Sequence, residues 1–504
     1  MSVPIALMCW EAGAQVFSDG VLVVGPLGIW AYVLGQSDLL VRATFTTTYN
    51  AALGFLWGNL AAVFMAATVI ILPRAERLVS SLALVVFCLP LVATGPILRV
   101  ISGPGDVPQI ALAALAVYYT TYLALIVGLR AMPQSWSDLM SIYGRGALST
   151  LLIVRARSSL PYFFAGLQIA APAAFLGAMI GEFTGAERGL GVLTLRAMRG
   201  LDVDATWSLA IISAGVAMLA YTIVGVVARR MQGYAPIIIL SPPRSLARRN
   251  FWPRFAEALA AVVLLLLVWQ VVMDVFDLNR FFAKRPGDVV AYLAGNGEAR
   301  LMLFEALRQT VSATIPGFVA GLLLGAGLAV GVILVPKAAG FVLPIAVALR
   351  AIPIITTAPL IVLALGRGSA GTITVVAVMI FFPTFVACLK GLQQTPKQII
   401  DVFNTYGAGS LRILFTARIP TMLPALFAAA KMAVPAAILA VTTTEWLATG
   451  TGIGVLMALT STTSNYNMLW SCIAAIALVA VTLYVIVLWL ERAVLTVYAS
   501  EQLT

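Results

Sequence analysis

The chain contains no histidine, and its four cysteines lie far apart, at Cys9, Cys88, Cys388 and Cys472. Zinc sites, redox pairs and disulfide frameworks need such residues at close, regular spacings, so the sequence predicts no metal, no cofactor and no redox centre. The dipeptide Gly-Lys is absent as well. A phosphate-binding loop of the type G-x-x-x-x-G-K-[ST] is therefore excluded, and any ATP hydrolysis must come from a separate subunit.

Charged residues make up 10% of the 504 residues, whereas apolar residues make up 61%. Soluble domains carry about 25% charged residues, so most of this chain is expected to lie in lipid. Helices are the natural way for an apolar segment to cross a bilayer, because they satisfy their own backbone polar groups. We predict an all-α polytopic membrane protein with about eleven spans, at residues 43–72, 79–101, 109–130, 161–184, 205–228, 255–276, 305–335, 338–365, 371–389, 422–447 and 467–490.

Two polar interruptions of the apolar pattern are near copies of each other. The segments 138–161 and 401–424 align at a constant offset, since 401 − 138 = 263 and 424 − 161 = 263. The same offset relates prolines, glycines and aromatic residues over about 180 residues, which indicates an internal duplication. Its matched pairs include Pro90/Pro353, Pro96/Pro359, Pro172/Pro435, Glu182/Glu445, Gly189/Gly452, Gly191/Gly454, Trp207/Trp470 and Tyr221/Tyr484.

The duplication predicts three regions: a first half at 1–228, a basic linker at 229–254 and a second half at 255–504. The linker contains six arginines and no acid. The predicted span at 255–276 has no full counterpart before residue 42. Either the first helix of the first half is missing or truncated, which we expect, or the true start lies upstream.

Loop charge predicts how the two halves are oriented. The loops 130–157 and 390–418 each carry four basic residues and one acid, 4 − 1 = +3, whereas the loop 277–300 carries 4 − 3 = +1. Positive loops remain in the cytoplasm, so both polar interruptions are expected to face inward and the repeats to be parallel. The net charge of +11 then reflects orientation and contact with anionic lipid rather than nucleic-acid binding.

Each polar interruption has the pattern of a short amphipathic helix followed by a glycine turn. Val402, Phe403 and Tyr406 would form one apolar helix face, and the first copy has Leu139, Met140 and Tyr143 at the matching positions. Such a helix can fit into a groove of a cytoplasmic partner. The alternative is an interfacial helix that rests on lipid headgroups, but two copies at a fixed offset favour a partner.

This pattern resembles the EAA loop of permease subunits of ABC importers, in the branch that moves taurine, sulfonates, nitrate and related small solutes. The segments EWLATGTGIGVLM from Glu445, GEFTGAERGLGVLT from Gly181 and RAIPIITTAPLIVLALG from Arg350 are similar to other parts of that family. Two departures stand out: an aspartate replaces the first glutamate of the loop, and Arg157 stands where the second copy has Pro420.

The resemblance implies a type I importer permease in a bacterial inner membrane, with both permease halves in one chain. It implies two copies of a cytoplasmic ATPase, docked on the two loops, and an external or periplasmic solute-binding protein. The solute would be a small organic anion, sulfonate-like or nitrate-like, or a heterocyclic vitamin precursor. The residues that it places in the ATPase-coupling loops are Asp138, Tyr143, Gly144, Gly146, Pro161, Asp401, Tyr406, Gly407, Gly409, Pro420 and Pro424.

A few polar residues inside the apolar spans are candidates for the transport pathway. Lys431 and Gln168 occupy matching positions, as do Glu445 and Glu182 near the external ends of their spans. A charge in mid-bilayer costs about 2.5–3.5 kcal/mol, so such a group usually faces a cavity or a partner. Lys431 and Gln168 could line the pathway while the two glutamates flank an outer gate. Alternatively, Lys431 reaches the cytoplasmic interface and the glutamates are solvated helix ends.

Two other classes of function are alternatives to the importer hypothesis. A transporter driven by an ion gradient would need acidic residues at mid-membrane, which are nearly absent, and it would work without ATP. An intramembrane lipid or prenyl transferase would need clustered acids, histidine or cysteine at the membrane face. The sequence therefore favours a transport component that is not itself an enzyme.

Overall fold

In the computed structural model, the described residues are 24–131, 134–200, 202–232, 266–338 and 368–498, with isolated positions at 8, 10–15, 263–264, 340, 342, 358, 361–362 and 364–366. Several predicted features fall largely on residues outside these ranges. They are the start of the first half, where a helix was expected to be missing or truncated, the linker, the start of the span at 255–276, the span at 338–365, and Pro353 with Pro359. The predicted domain boundaries are therefore still predictions.

The first half consists of helices joined by short turns. Its helices are α1 (Pro26–Gly35), α2 (Ser37–Ile71), α3 (Glu76–Phe87), α4 (Leu91–Ser102), α5 (Val107–Arg130), α6 (Gln134–Ile142), α7 (Ala156–Phe183), α8 (Leu190–Arg199) and α9 (Val203–Gln232). A short helix, Ala147–Thr150, and a π-helical turn, Leu151–Arg155, lead into α7.

The second half repeats this order, except that the residues matching α3 and α4 fall mostly outside the described ones. Its helices are α10 (Pro286–Gly295), α11 (Gly297–Leu334), α12 (Ser369–Gln393), α13 (Lys397–Thr405), α14 (Ile419–Thr444), α15 (Ile453–Thr462) and α16 (Tyr466–Tyr498). Helix α14 is preceded by Ser410–Ile413 and the π-helical turn Leu414–Arg418, and it is followed by a second π-helical turn, Glu445–Thr449. Helices α13 and α15 begin and end 263 residues after α6 and α8, for example 397 − 134 = 263 and 462 − 199 = 263.

The described part of the chain contains eight helices long and apolar enough to cross a membrane, and a bent pair adds a ninth candidate span. No strand occurs in these residues, so the prediction of an all-α polytopic membrane protein is confirmed. These nine candidates coincide with nine of the predicted spans. An apolar helix at Leu266–Val275 covers the end of a tenth.

The predicted span at 79–101 is two helices rather than one. Helices α3 and α4 meet at an angle of 93°. Pro90 stands at the junction with φ −69° and ψ 113°, and a proline cannot donate the backbone hydrogen bond that would continue the helix. The break carries Cys88, Ala93 and Ile97 into one apolar cluster with Leu303 and Ile453 of the second half. The two halves are therefore packed together through α4.

Within each half, glycines on the long helix α2 or α11 allow a close helix contact. A side chain at Gly58 would lie 2.6 Å from the carbonyl oxygen of Ala114 in α5. In the second half, a side chain at the matching Gly321 would lie 2.8 Å from the carbonyl oxygen of Ala377 in α12. Small residues at such contacts are typical of helix packing in lipid, where close van der Waals contact drives association.

Candidate functional site

The two polar loops have the same backbone structure. Two residues beyond the ends of helices α6 and α13 stands a glycine with a positive φ angle, +63° at Gly144 and +67° at Gly407. The amide of Gly144 donates to the carbonyl of Ser141 and that of Arg145 to Met140, both at 3.0 Å. This pair of backbone hydrogen bonds is a Schellman motif, which turns the chain sharply after a helix.

The second loop repeats this motif. The amide of Gly407 donates to Asn404 at 3.0 Å, and the amide of Ala408 donates to Phe403 at 2.9 Å. Nothing lies within 4 Å of a side chain built at Gly144 or Gly407. The glycines are therefore needed for their φ angles and not for space.

Each loop presents exposed apolar side chains at matching positions. Tyr143 is 72% exposed and Tyr406 is 86% exposed. The other exposed pairs are Trp136/Ile399, Leu139/Val402 and Leu152/Phe415. The aspartates Asp138 and Asp401 are also exposed. A cluster of exposed apolar residues in the polar part of a membrane protein is typical of a protein interaction surface.

The remaining loop residues lie where each loop enters the next spanning helix. Gly146 and Gly409 precede the short helices, and Gly409 has extended backbone angles as an N-cap. Pro161 and Pro424 are inside α7 and α14, whereas Pro420 lies in the first turn of α14. At the position of Pro420, the first half has Arg157 within α7.

A cavity of about 380 Å³ lies between the two halves. It is lined by α5 and α7 of the first half and by α12 and α14 of the second, together with residues near the break between α3 and α4. Several lining residues are paired by the 263-residue offset. These pairs are Ala116/Met379, Thr120/Pro383, Ile169/Met432, Ala173/Ala436 and Leu176/Leu439. The cavity therefore lies on the axis that relates the two halves.

The lining of this cavity is almost entirely apolar. Among the described residues that line it, Lys390 is the one charged side chain, and it lies in the last turn of α12. From Met379 to Lys390 the helix advances by about 16 Å at 1.5 Å per residue. The charge is thus confined to the end of the cavity nearer the polar loops.

Glu182 and Glu445 are buried, with exposed fractions of 1% and 4%. The hydroxyl of Thr47 in α2 donates to Glu182 at 2.7 Å, and the amide of Gly191 in α8 donates to the other carboxyl oxygen at 2.6 Å. The amide of Leu190 donates to the Thr47 hydroxyl at 2.8 Å. We call this arrangement of Glu182, Thr47 and the start of α8 the first clamp.

The second half contains the same arrangement, which we call the second clamp. Thr310 in α11 donates to Glu445 at 2.9 Å, and the amide of Gly454 in α15 donates to the same carboxyl oxygen at 2.9 Å. The amide of Ile453 donates to Thr310 at 2.9 Å. The alternative that the two glutamates are solvated helix ends is therefore wrong, because each carboxylate caps a helix inside the protein.

Lys431 is also buried, and its partner was missed by the sequence analysis. Its ammonium group lies 2.7 and 2.9 Å from the carboxyl oxygens of Glu491 in α16. Neither Lys431 nor Gln168 lines the cavity, and their role in a pathway is still a prediction. The sequence did contain an indication of this partner, because Glu491 is an acidic residue directly after the last predicted span.

No three histidine, cysteine, aspartate or glutamate side chains come together as metal ligands in the part of the chain that the structure describes.

A family model for the inner membrane component of binding-protein-dependent transport systems matches the chain twice, at residues 58–233 and 321–496. The two matches are 321 − 58 = 263 residues apart. Together they cover more than half of the chain, and each includes one polar loop and one of the two glutamates.

Curated relatives are similar to about half of the chain. A probable ABC transporter permease protein of Haemophilus influenzae is 28% identical over 237 residues, which are 47% of this chain and 96% of the relative. The riboflavin transport system permease protein RibX of Chloroflexus aurantiacus is 27% identical over 266 residues, 52% of this chain and 97% of the relative. The formylaminopyrimidine transport permease protein ThiX of Halalkalibacterium halodurans is 26% identical over 192 residues, 38% of this chain and 76% of the relative.

The relatives are transport subunits rather than enzymes, and the spans of this chain require a membrane. The chain therefore belongs to the family of inner-membrane components of binding-protein-dependent transport systems, as a multi-pass ABC transporter permease in which the permease domain occurs twice.

Proposed function

We propose that this chain forms the complete solute pathway of an ABC importer and that its two polar loops are the docking sites for two cytoplasmic ATPases. The family implies ATPase partners and a solute-binding protein, and the number of ATPases follows from the number of loops. The observation that carries the proposal is the duplicated exposed surface, with Tyr143 and Tyr406 at matching positions after identical glycine turns. A surface that occurs in both halves at matching positions fits a partner that binds once to each half.

The cavity between the halves is the proposed route of the solute. It is lined by residues from both halves, and it is bordered by the helices α7 and α14 that directly follow the two loops. A displacement of a loop therefore acts directly on the wall of the cavity. This arrangement supports coupling between ATP hydrolysis at the loops and access to the cavity.

The apolar lining favours an uncharged heterocyclic solute over a small inorganic anion. An unpaired charge in an apolar cavity carries a large desolvation cost, and Lys390 lies only at one end. Aromatic rings, in contrast, gain from contact with side chains such as Met379, Phe382 and Met432. Two similar permeases are described as carrying riboflavin and formylaminopyrimidine, which are heterocycles. Lys390 would then contact a polar group of the solute as it leaves.

Uptake by reconstituted vesicles tests the proposal. The chain, its ATPase and its binding protein are placed in proteoliposomes with labelled riboflavin, a formylaminopyrimidine, taurine or nitrate. We expect uptake of a heterocycle that requires ATP and survives collapse of ion gradients. Uptake of taurine or nitrate alone would overturn the solute class, and uptake that needs an ion gradient but no ATP would overturn the mechanism.

Substitution of the exposed tyrosines tests the docking sites separately. Tyr406→Glu and Tyr143→Glu place a charge on each apolar surface, so we expect the ATPase to dissociate from the double variant during purification. Thr463→Glu is the matched control, because Thr463 is exposed beyond α15, away from both loops. Retention of the ATPase by the double variant would contradict the assignment.

A further inference from the structure

An apolar cluster lies at the end of the cavity that is farther from the polar loops. It contains Ile180 and Phe183 of α7 and Leu195 of α8, packed against Leu439, Trp446 and Leu447 of the second half. We call these six residues the outer seal. Leu439 and Ile180 also line the cavity, so the outer seal borders the cavity at this end.

Each clamp is directly connected to the outer seal. Phe183 follows Glu182 in the chain, and Trp446 follows Glu445. The two aromatic residues are matched by the same offset, 446 − 183 = 263. Leu195 lies on α8, the helix whose first amides are bound by the first clamp. The position of the outer seal therefore depends on the contacts of the two glutamates.

We propose that Glu182 and Glu445 are positioning residues that hold the outer seal closed, by fastening the starts of α8 and α15 to the long helices α2 and α11. The inference rests on the proposed route of the solute through the cavity. Each clamp ties together three elements that are distant in sequence, since Thr47 and Thr310 each lie 135 residues from their glutamate. With both clamps intact, α8 and α15 cannot separate from the spanning helices without the loss of buried hydrogen bonds.

The chemistry of the clamps suits this role. The first amides of a helix have no partner within the helix. Leu190, Gly191, Ile453 and Gly454 are buried, so their amides need a partner from the protein. A carboxylate accepts from them and also lies favourably at the positive end of the helix dipole. Gly189 and Gly452 precede the two helices with φ angles of +130° and +91°, and a side chain at either would collide with the carboxyl group.

Access of a thiol reagent to the cavity tests the proposal. Leu439→Cys is introduced into a chain whose four native cysteines are replaced by alanine, and the complex is placed in sealed vesicles. A membrane-impermeant maleimide is added to either face. With intact clamps, we expect labelling mainly from the cytoplasmic face, with a low rate from the outer face. In Glu445→Gln and Glu182→Gln, labelling from the outer face should rise about tenfold, which corresponds to about 1.4 kcal/mol.

Matched threonine variants separate the clamp from general damage to the fold. Thr310→Val keeps the shape of the side chain but removes the second clamp's hydroxyl, and we expect it to raise outer labelling as well. Thr443→Val is the control, because Thr443 is equally buried and its hydroxyl has no hydrogen-bond partner among the described residues. Assembly with the ATPase confirms folding of each variant.

The outcomes distinguish the clamp from the proposed pathway. Outer labelling that stays at the parent level in the glutamate and Thr310 variants, while cytoplasmic labelling persists, would overturn the clamp and leave the pathway intact. Outer labelling that rises in these variants without any cytoplasmic labelling of the parent would support the clamp and contradict an inward-open cavity. The absence of labelling from both faces in every variant would overturn both.

Discussion

The two halves of the chain agree at the loops and at the clamps but differ inside the bundle. In the second half, Lys431 of α14 and Glu491 of α16 form a buried ion pair. The matching positions in the first half are Gln168 and Ala228, since 431 − 168 = 263 and 491 − 228 = 263. Gln168 instead packs close to Gly225 of α9. The same helix contact is therefore made once with an ion pair and once with neutral residues.

This difference shows which parts of the duplicated structure must stay alike. The two loops expose matching apolar side chains, as the proposed binding of the same partner twice requires, and the two clamps hold the starts of α8 and α15 in the same way. The contact between α14 and α16 lies outside both of these sites. Neutral residues can therefore pack at this contact as well as an ion pair can. Buried ion pairs are often no more stable than the apolar residues that could replace them.

The ion pair offers the largest expected effect. Glu491→Ala leaves the Lys431 ammonium group without this carboxylate in a buried site, and loss of one partner from a buried pair typically costs about 3–5 kcal/mol. The double variant Lys431→Gln/Glu491→Ala reproduces the neutral residues of the first half and should recover most of this loss. Thermal unfolding of the purified chain, followed by tryptophan fluorescence, measures both.

The matched control for the ion pair is Gln168→Met in the first half. No charge is removed there, so we expect a change below about 1.5 kcal/mol. If Glu491→Ala unfolds at the same temperature as the parent, the ion pair does not contribute to stability and the two halves are energetically alike.

The glycine turns test whether the two loops contribute equally. A valine at Gly144 or Gly407 must adopt a positive φ angle, which costs roughly 2 kcal/mol for a residue with a side chain, enough to reduce coupled uptake about 30-fold. Asparagine tolerates this conformation and should largely preserve uptake. ATP-dependent uptake and ATPase binding are measured for each variant.

If the two valine variants lose the same share of ATP-dependent uptake, the two loops contribute equally to coupling. A loss at Gly407 with none at Gly144 would show that only the second loop is coupled, and the substitution of Arg157 for Pro420 would be the place to look for the cause.

The cavity should respond equally to changes on its two sides. Ala173→Phe and Ala436→Phe each place a ring in the lining at matching positions, and we expect each to lower uptake about tenfold, which is about 1.4 kcal/mol, while ATP hydrolysis continues. Leu478→Phe, on the exposed face of α16, is the control. A normal rate of uptake in either alanine variant would place the pathway elsewhere.

The smallest expected effect concerns a difference between the clamps. In the second half, the side chain of Gln309 accepts a hydrogen bond from the amide of Gly452 at 3.0 Å. The first half has Thr46 at that position, and its hydroxyl donates instead to the backbone carbonyl of Arg42. Gln309→Ala should therefore weaken only the second clamp, by about 1 kcal/mol.

The labelling of Leu439→Cys from the outer face measures this weakening, with an expected rise of less than about tenfold. A rise larger than that of Glu445→Gln would show that Gln309, and not the carboxylate, is the main contact that holds α15.

Local features were predictable from the sequence because they follow local rules. The short helices α6 and α13 and their glycine turns occur where the apolar pattern and Gly144 and Gly407 placed them. The role of these loops in ATPase coupling is still a prediction. Pro90 lies inside the predicted span at 79–101 and cannot donate a helical hydrogen bond, but the angle of 93° depends on how α4 packs against the second half.

The partners of the buried polar groups could not be predicted in the same way. From the sequence, Glu182 and Glu445 could lie either at an outer gate or in solvent, and Glu491 was not predicted as the partner of Lys431. Their contacts are made with Thr47, Thr310 and Glu491, which are 135 or 60 residues away. No local pattern relates residues at such distances.

The membrane location, the helical class and the twofold repetition of this protein all follow from its order of residues. Apolar segments in lipid have to form helices because no water is present to satisfy their backbone groups, and a constant offset between two halves is visible without coordinates. The tertiary structure alone decided which polar groups meet, where the cavity lies and how its outer end is closed. Those outcomes depend on the packing of helices that are remote in the chain, where close contact and the cost of an unsatisfied buried group together select the partners.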